Sequence, residues 1–340
     1  MIYSLQGFRV LLCALIFLFH VNSQVEIQIP LFYGIGTLAV SYFFVLSGFV
    51  HGLTFDESKT FEDNRKKILS RIFSNYPLHW ICLFLMIPLK FKASGINFDF
   101  ITRFFVNASL LQAWLPFEKY NLDFNGASWF LSDIVFMLLM TVPLCKLTNK
   151  IKSLKILFLS ILGIQCIEIF LSILFCDKDS NRILYYNPLI RLMDYFAGIL
   201  VANFVKNYGR EIRLKNIYES FVIILIVVLS FIYNYIPKSF TNAGTLYLLP
   251  ACFSIYILST QNGFISKFFC NRIFVNLAKG TMYFYMIHQV VNIYFKAVIL
   301  HLRRAIPSYL YYTVVGVGSI LAAFILYKVF NLIKNKRLQK

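Results

Sequence analysis

Charged residues are scarce in this sequence. Only 14% of its 340 residues are Asp, Glu, Lys or Arg, whereas 59% are hydrophobic and 18% are aromatic. A soluble globular domain typically carries about 25% charged residues, so this composition excludes an ordinary soluble protein. Several apolar runs reach the length of a membrane-spanning helix, and together they predict an all-α, polytopic membrane helical bundle.

The sequence also lacks the patterns of a metal site and of a disulfide framework. None of its seven cysteines belongs to a Cys-x-x-Cys pair, and most lie inside apolar runs, where they are expected to pack as small hydrophobic side chains. His20, His51, His79 and His288 fall on four different predicted helices, so no bound metal is predicted.

Acidic residues are fewer than basic ones, and the basic excess lies in short loops. The chain has 33 Lys and Arg against 15 Asp and Glu, a net charge of +18. Because the basic residues alternate with apolar runs, they indicate membrane orientation and no nucleic-acid binding. The more basic loops, expected to be cytoplasmic, contain Lys59, Arg65, Lys66, Lys67, Lys150, Lys152, Lys155, Lys206, Arg210, Arg213, Lys215, Lys267, Arg272, Lys279, Lys334, Lys336, Arg337 and Lys340. The opposite loops contain Lys92, Arg103, Lys119, Lys178, Arg182, Lys238, Arg303 and Arg304.

The apolar runs predict about ten transmembrane helices, and with this loop asymmetry both termini are expected in the cytoplasm. The predicted spans lie near residues 8–23, 33–53, 71–90, 127–147, 154–176, 185–205, 217–236, 244–260, 281–300 and 308–332. No segment outside them has the patterning of a soluble domain, so residues 1–340 are expected to form one membrane domain. The first run has neither a preceding basic region nor a convincing small-x-small cleavage site, which predicts a retained helix.

The longest loop on the less basic side, residues 91–126, is rich in aromatic residues. Its apolar piece, residues 106–115, is too short to span a membrane. It is interpreted as a re-entrant or interfacial helix.

The first apolar run carries two ionisable residues, Arg9 and His20, with ten uncharged residues between them. In an α-helix, eleven steps return His20 to within roughly 20° of the face of Arg9 and roughly 16 Å further along the axis. An ionisable group at mid-depth in a bilayer is expensive and typically functional. The alternative interpretation is an arginine that snorkels to the surface and an interfacial histidine.

Further polar residues occur in later runs. Ser47 and Gly48 form a small pair that predicts close approach of another helix, whereas a nucleophilic role for Ser47 needs a neighbouring base. Arg71 is expected at the same membrane surface as Arg9, and guanidinium groups match the geometry of phosphate. His288 places a second imidazole inside a membrane helix.

Two acidic residues also lie in apolar runs. Asp133 is predicted to lie inside the membrane or just below its surface. Asp194 follows Arg191 by three residues, so the two side chains can neutralise each other along one helix face, which favours a structural role.

Taken in order, these residues resemble the acyltransferase 3 family of integral membrane acyltransferases, which includes bacterial sugar O-acetyltransferases. The resemblance extends over essentially the whole chain. The matching features are Arg9-x10-His20, Phe43-Phe-x-x-Ser-Gly-Phe49, Arg71 ahead of Tyr76-Pro77, Trp129-x-Leu131, Arg191-x-x-Asp194-x-x-x-Gly198 and Tyr283-x4-His288.

The chain departs from the family pattern at two places. Where the family often has a second arginine three residues after the one that matches Arg71, this chain has Ser74. Where many members have Trp-Ser-Leu-x-x-Glu, it reads Trp129-Phe-Leu-Ser-Asp-Ile134, so Asp133 is displaced from the glutamate position by roughly 100° around the helix.

The resemblance implies transfer of an acyl group from cytoplasmic acyl-CoA, most often acetyl-CoA, to a carbohydrate hydroxyl at a bacterial inner membrane. The acceptor would be a glycan such as O-antigen, capsule or exopolysaccharide, free or lipid-linked, and no cofactor would be permanently bound. His20 is the predicted catalytic residue, as a base or as a transient acyl-histidine, with Arg9; Arg9 and Arg71 would bind CoA. Supporting or substrate-binding roles are expected for Ser47, Trp129, Asp133, Arg191, Asp194, Tyr283 and His288.

Two alternatives from other functional classes share the same general features. A lipid-linked oligosaccharide flippase or transporter would also be polytopic and basic, and a polysaccharide polymerase would be expected to carry a charged cluster in a large outer loop. A transporter needs no anchored site for CoA phosphates, so binding of acyl-CoA discriminates it from an acyltransferase.

Overall fold

A computed structural model describes residues 2–176, 181–209, 215–303 and 305–338. Within these residues the chain forms fifteen α-helices and no strand, which confirms the predicted all-α bundle. The helices are α1 (Tyr3–Asn22), α2 (Leu31–Thr54), α3 (Phe61–Ser94), α4 (Phe98–Ala108), α5 (Glu118–Asn121), α6 (Trp129–Asn149), α7 (Leu154–Leu174), α8 (Pro188–Tyr208), α9 (Lys215–Ile232), α10 (Lys238–Asn242), α11 (Leu248–Ser259), α12 (Phe264–Phe269), α13 (Arg272–Ala278), α14 (Thr281–Leu302) and α15 (Ser308–Leu338).

Eight helices in the described part of the chain are long and apolar enough to cross a membrane: α1, α2, α3, α6, α7, α8, α9 and α15. The chain is therefore a multi-pass membrane protein. The predicted span near 281–300 forms α14, which has 22 residues and carries several polar side chains. The predicted span near 244–260 forms only the 12-residue α11, whose length of roughly 18 Å is shorter than a hydrocarbon core of about 30 Å.

Some of the loop residues used to predict orientation are not covered by the structure. Lys178, Arg210, Arg213, Arg304 and Lys340 lie outside the described residues, and the side chains of Arg182, Lys336 and Arg337 are likewise not described. The loop between α2 and α3 is described and carries Lys59. We call the end of the bundle at which α2 ends and α3 begins the basic end.

Local sequence signals define where key helices begin. The Thr60 side chain accepts a hydrogen bond from the main-chain N–H of Asp63 at the start of α3. The Asn187 side chain accepts one from the N–H of Leu189, and Pro188 occupies the first position of α8. Such caps satisfy N–H groups that have no partner within the helix, and proline is pre-organised for the first turn.

Two glycines allow α2 and α8 to pack with their backbones in contact. A Cβ atom at Gly48 would overlap the main-chain oxygen of Tyr195, and one at Gly198 would overlap the main-chain oxygen of Val45. This contact agrees with the close helix packing predicted at the Ser47-Gly48 pair, because Gly48 supplies it. We call this contact the α2–α8 seam.

Helix α1 packs against α2 and also against α14, so residues from the two ends of the sequence meet. The helix begins at Tyr3, five residues before the predicted span, and ends at Asn22. Arg9 consequently lies in the second turn and His20 in the last turn. His20 therefore lies towards the end of the bundle opposite the basic end.

The loop between α3 and α6 folds against the bundle. The helix expected over residues 106–115 is instead α4, which ends at Ala108; a short 3-10 turn follows at Gln112–Trp114. Asp123, which is buried, lies 2.5 Å from Lys90 Nζ and 2.6 Å from Arg103 Nη1. The pair with Lys90 fastens the loop to α3, and the pair with Arg103 connects Asp123 to α4 within the loop.

Candidate functional site

The most distinctive polar contact in the bundle joins two histidines. His20 Nδ1 lies 2.8 Å from His288 Nε2, and the two rings stack with centroids 5.0 Å apart and planes 21° from parallel. His288 is buried and His20 is half-buried. Helix α1 carries one imidazole and α14 the other, so the packing of these two helices creates the histidine pair.

A backbone carbonyl determines which nitrogen of each ring carries hydrogen. His288 Nδ1 lies 3.2 Å from the main-chain oxygen of Phe284, one turn earlier in α14. Only an N–H can donate to a carbonyl, so Nδ1 of His288 carries the hydrogen and its Nε2 accepts from His20 Nδ1–H. His20 Nε2 is then left with a free lone pair. An imidazole held in one tautomer with a free nitrogen suits a base or a nucleophile.

A cavity of about 250 Å³ lies between the helices near the pair. Its polar lining consists of Arg9, Ser47, His51, Asn75, Thr281 and Tyr285. The structure thus brings together Arg9 and Ser47, two of the predicted site residues. The described lining does not include His20 or His288. Tyr285 connects the two regions, because it lines the cavity and its ring centroid lies 5.9 Å from that of His288.

The cavity wall also clarifies the departure from the family pattern at residues 133 and 134. Ile134, which occupies the glutamate position of that pattern, lines the cavity. Asp133 is fully buried, and neither of its carboxylate oxygens has a hydrogen-bond partner in the described structure. The one-residue displacement thus turns the carboxylate out of the cavity, where Ile134 presents an apolar surface.

A second cavity, of about 20 Å³, adjoins the first towards the basic end. Lys67, Arg71 and Thr141 are among its lining residues, and His51 lines both cavities. Arg71 therefore lines the smaller cavity, whereas Arg9 lines the larger one beside it. His51 is not among the predicted site residues. The signal in the sequence is a histidine three residues after Gly48 in an apolar run.

Three cations around these cavities have no salt-bridge partner among the described residues. Arg9 Nη1 lies 3.4 Å from Gln6 Oε1, and Lys67 Nζ lies 3.3 Å from the main-chain oxygen of Thr54. Arg71 likewise forms no described salt bridge. Arg9 and Arg71 are half-buried and Lys67 is exposed. Cations without a carboxylate partner favour binding of an anion, and guanidinium groups suit phosphate in particular.

Arg191 and Asp194 form a buried ion pair elsewhere in the core. Arg191 is fully buried and lies 2.9 Å from Asp194 Oδ2, as the i,i+3 spacing predicted. Its guanidinium group also donates to Ser41 Oγ at 3.2 Å, to the main-chain oxygen of Tyr185 at 2.9 Å and to that of Asn242. Every nitrogen of the guanidinium has an acceptor, so this Arg191 cluster has the properties of a structural tie.

Two aromatic residues of the predicted set lie apart from both cavities in the described structure. The Trp129 ring packs at 5.0 Å from the rings of Tyr185 and Tyr186. The Tyr283 ring packs at 5.7 Å from Tyr327 of α15. Both residues contribute to helix packing.

The described residues contain no group of three His, Cys, Asp or Glu side chains placed to hold a metal ion. A family model described as an acyltransferase domain, that of the acyltransferase 3 family, matches residues 2–328. Neither a curated protein nor a solved structure matches the chain.

Proposed function

Because the chain belongs to the acyltransferase 3 family, we propose that this membrane acyltransferase moves an acyl group from acyl-CoA to a hydroxyl of a cell-surface carbohydrate. Acetyl-CoA is the proposed donor. The observation that carries the proposal is the hydrogen bond between His20 and His288, because it leaves His20 Nε2 free for reaction.

His20 acts as the general base in the proposed reaction. A sugar hydroxyl is a poor nucleophile at neutral pH, so its proton passes to His20 Nε2 as the oxygen attacks the thioester carbonyl carbon. The C–O bond forms, the C–S bond breaks, and the CoA thiolate takes the proton back from His20. Alternatively, Nε2 attacks the thioester carbonyl carbon first, so that a C–N bond forms, the C–S bond breaks and CoA thiolate leaves. The hydroxyl oxygen then attacks the acyl carbon, the C–N bond breaks, and the hydroxyl proton passes to the thiolate. Both routes use the same nitrogen.

His288 positions His20 and stabilises its charged form. Its Nε2 lone pair accepts the Nδ1–H of His20, which fixes the ring orientation and the tautomer. When His20 takes up a proton, that same hydrogen bond becomes charge-assisted and therefore stronger. His288 thus orients His20 and stabilises its protonated form, as the buried carboxylate does for the histidine of a Ser-His-Asp triad. Unlike that carboxylate, His288 carries no negative charge.

The three unpaired cations support an anionic donor. In this proposal, Lys67 and Arg71 bind CoA phosphates near the basic end, and the thioester extends past Arg9 into the larger cavity. Tyr285 stands between that cavity and the histidine pair, and its hydroxyl donates to the main-chain oxygen of Ala127 at 3.0 Å. Delivery of the thioester to His20 therefore requires the Tyr285 side chain to move.

The acceptor approaches from the opposite end, where His20 lies. With the basic end in the cytoplasm of a bacterial inner membrane, the donor would be cytoplasmic and the glycan, such as O-antigen, capsule or exopolysaccharide, would lie across the membrane.

Mass spectrometry of the surface glycan tests the proposal in cells that lack the protein, carry the wild type, or carry His20→Ala. We expect an acetyl-sized mass only with the wild type, because a positioned base contributes roughly 10²- to 10⁴-fold. His301→Ala, at an exposed histidine near the end of α14, is the matched control and should retain the modification.

Two outcomes would reject the proposal. Near-normal acetylation by a well-expressed His20→Ala protein would remove His20 from the reaction. An unmodified but truncated or missing glycan in the cells that lack the protein would indicate export or polymerisation.

A further inference from the structure

His51 forms part of the wall shared by the two cavities. It lines the smaller one together with Lys67 and Arg71, and the larger one together with Arg9 and Ser47. Any elongated ligand that reaches from the outer cations to the larger cavity must therefore pass the imidazole of His51.

A chain of hydrogen bonds fixes the tautomer of that imidazole. Thr141 Oγ1 donates to the main-chain oxygen of Met137 at 3.0 Å and lies 2.7 Å from the Tyr195 hydroxyl. The single hydrogen of Thr141 is then used, so Tyr195 donates to Thr141. The Tyr195 oxygen in turn accepts from Nδ1–H of His51 at 2.8 Å. His51 Nε2 is left as a hydrogen-bond acceptor.

The α2–α8 seam makes this arrangement rigid. Gly48, one turn before His51 on α2, packs against the main-chain oxygen of Tyr195. The same two helices thus supply both the backbone contact and the hydrogen bond between His51 and Tyr195. A side chain held in one orientation is suited to forming a hydrogen bond with one particular group of a ligand.

An acceptor at this position requires a donor group on the ligand. The surrounding cations bind phosphate oxygens, which lack hydrogen at neutral pH, whereas the pantetheine arm of acyl-CoA carries two amide N–H groups and a hydroxyl. We infer that His51 Nε2 accepts a hydrogen bond from an N–H or O–H group of the pantetheine arm. The inference rests on the proposed function, since it assumes acyl-CoA as the donor.

Paired substitutions at His51 separate its two nitrogens. The short amide side chain of asparagine reaches only the Nδ1 position, so His51→Asn keeps a partner for Tyr195 and removes the acceptor at Nε2. The longer amide of His51→Gln places an oxygen near the Nε2 position. Calorimetry on the full-length protein in detergent would use two probes: acetyl-CoA, and adenosine 3′,5′-bisphosphate, which has phosphates but no pantetheine arm.

We expect His51→Asn to weaken acetyl-CoA binding by roughly 2- to 10-fold, as for one lost hydrogen bond, and to leave bisphosphate binding unchanged. His51→Gln should bind both probes nearly as the wild type does, and Arg71→Gln should weaken both. Tyr195→Phe removes the hydroxyl that accepts from His51 Nδ1–H, so the tautomer of His51 is no longer fixed. This variant should weaken the binding of acetyl-CoA alone, and by less than His51→Asn does.

The inference is overturned if His51→Asn weakens both probes equally, because His51 would then be a phosphate ligand, or if it weakens neither. A wild-type protein that binds neither probe would reject the proposed donor together with the inference. If the wild type and His51→Asn bind acetyl-CoA equally well, the inference about His51 is rejected and the proposed donor stands.

Discussion

The Arg191 cluster and the histidine pair both bury ionisable side chains in the bundle, but their hydrogen bonding differs. Each guanidinium nitrogen of Arg191 has an acceptor, and Asp194 supplies the opposite charge. In the histidine pair the hydrogen bonds run in one direction, from His20 to His288 to the carbonyl of Phe284, and leave one ring nitrogen unused.

This difference indicates a structural role for the Arg191 cluster and favours a role in the reaction for the histidine pair. Each nitrogen of the Arg191 guanidinium already has an acceptor within the protein. Removing its carboxylate partner would leave an uncompensated buried charge. The half-buried imidazole of His20 has its orientation already fixed and still has a lone pair for a reacting hydroxyl. The cations Arg9, Lys67 and Arg71 resemble the histidine pair in this respect, because each lacks a carboxylate partner in the described residues.

The largest effect on stability is expected in the Arg191 cluster. Asp194→Asn removes the charge partner of a buried arginine and should destabilise the protein by about 3–5 kcal/mol. The measurement is the yield and thermal unfolding midpoint of the detergent-solubilised protein. The double variant Arg191→Met with Asp194→Leu removes both charges and should recover much of the loss. If the single variant were as stable as the wild type yet inactive, Asp194 would take part in the reaction and the Arg191 cluster would not be purely structural.

A smaller effect, on activity alone, is expected at His288. His288→Phe keeps a buried ring but removes the acceptor for His20 Nδ1–H, so kcat should fall by roughly 10-fold or more with little change in KM for acetyl-CoA. His288→Gln offers an amide oxygen to the same N–H and should recover part of the rate. Steady-state acetyl transfer by purified protein measures both. A loss of folded protein that matches the loss of activity would instead make His288 a packing residue.

The smallest effect is expected at an ion pair on the surface. Asp99 Oδ1 lies 3.0 Å from Lys119 Nζ, with about half of each side chain exposed. The hydrogen bond from Lys119 lowers the pKa of Asp99. Any stability from the pair is therefore present above the unfolded-state pKa of the carboxyl and is lost as the pH falls through the folded-state value.

Asp99 also lies 2.8 Å from Nε of the mostly buried Arg103, so Lys119→Gln is the variant that removes only the exposed pair. It should leave the unfolding midpoint at neutral pH unchanged, because water and salt screen exposed pairs. A destabilisation at neutral pH as large as that of Asp194→Asn would show that burial does not separate the two kinds of pair.

Several features were predictable from the sequence because they depend on residues close together in the chain. The scarcity of charge and the apolar runs predicted a helical membrane bundle, and the structure confirms it. The spacing of Arg191 and Asp194 predicted their ion pair, since residues three apart share a helix face. Gly48 predicted a close helix contact because it has no side chain to separate two backbones. The predicted span near 244–260 was too long, because hydropathy does not register where a helix ends.

The tertiary structure alone decided which of these helices are neighbours. His20 and His288 are 268 positions apart, and no local periodicity relates them; they meet because α1 packs against α14. The same holds for His51 and Tyr195, which join across the α2–α8 seam, and for Ile134, which faces the cavity in place of a carboxylate. Helical periodicity determines the face of its own helix on which a side chain lies. Which side chain it meets depends on the packing of the whole bundle, and that packing is what leaves one nitrogen of His20 free.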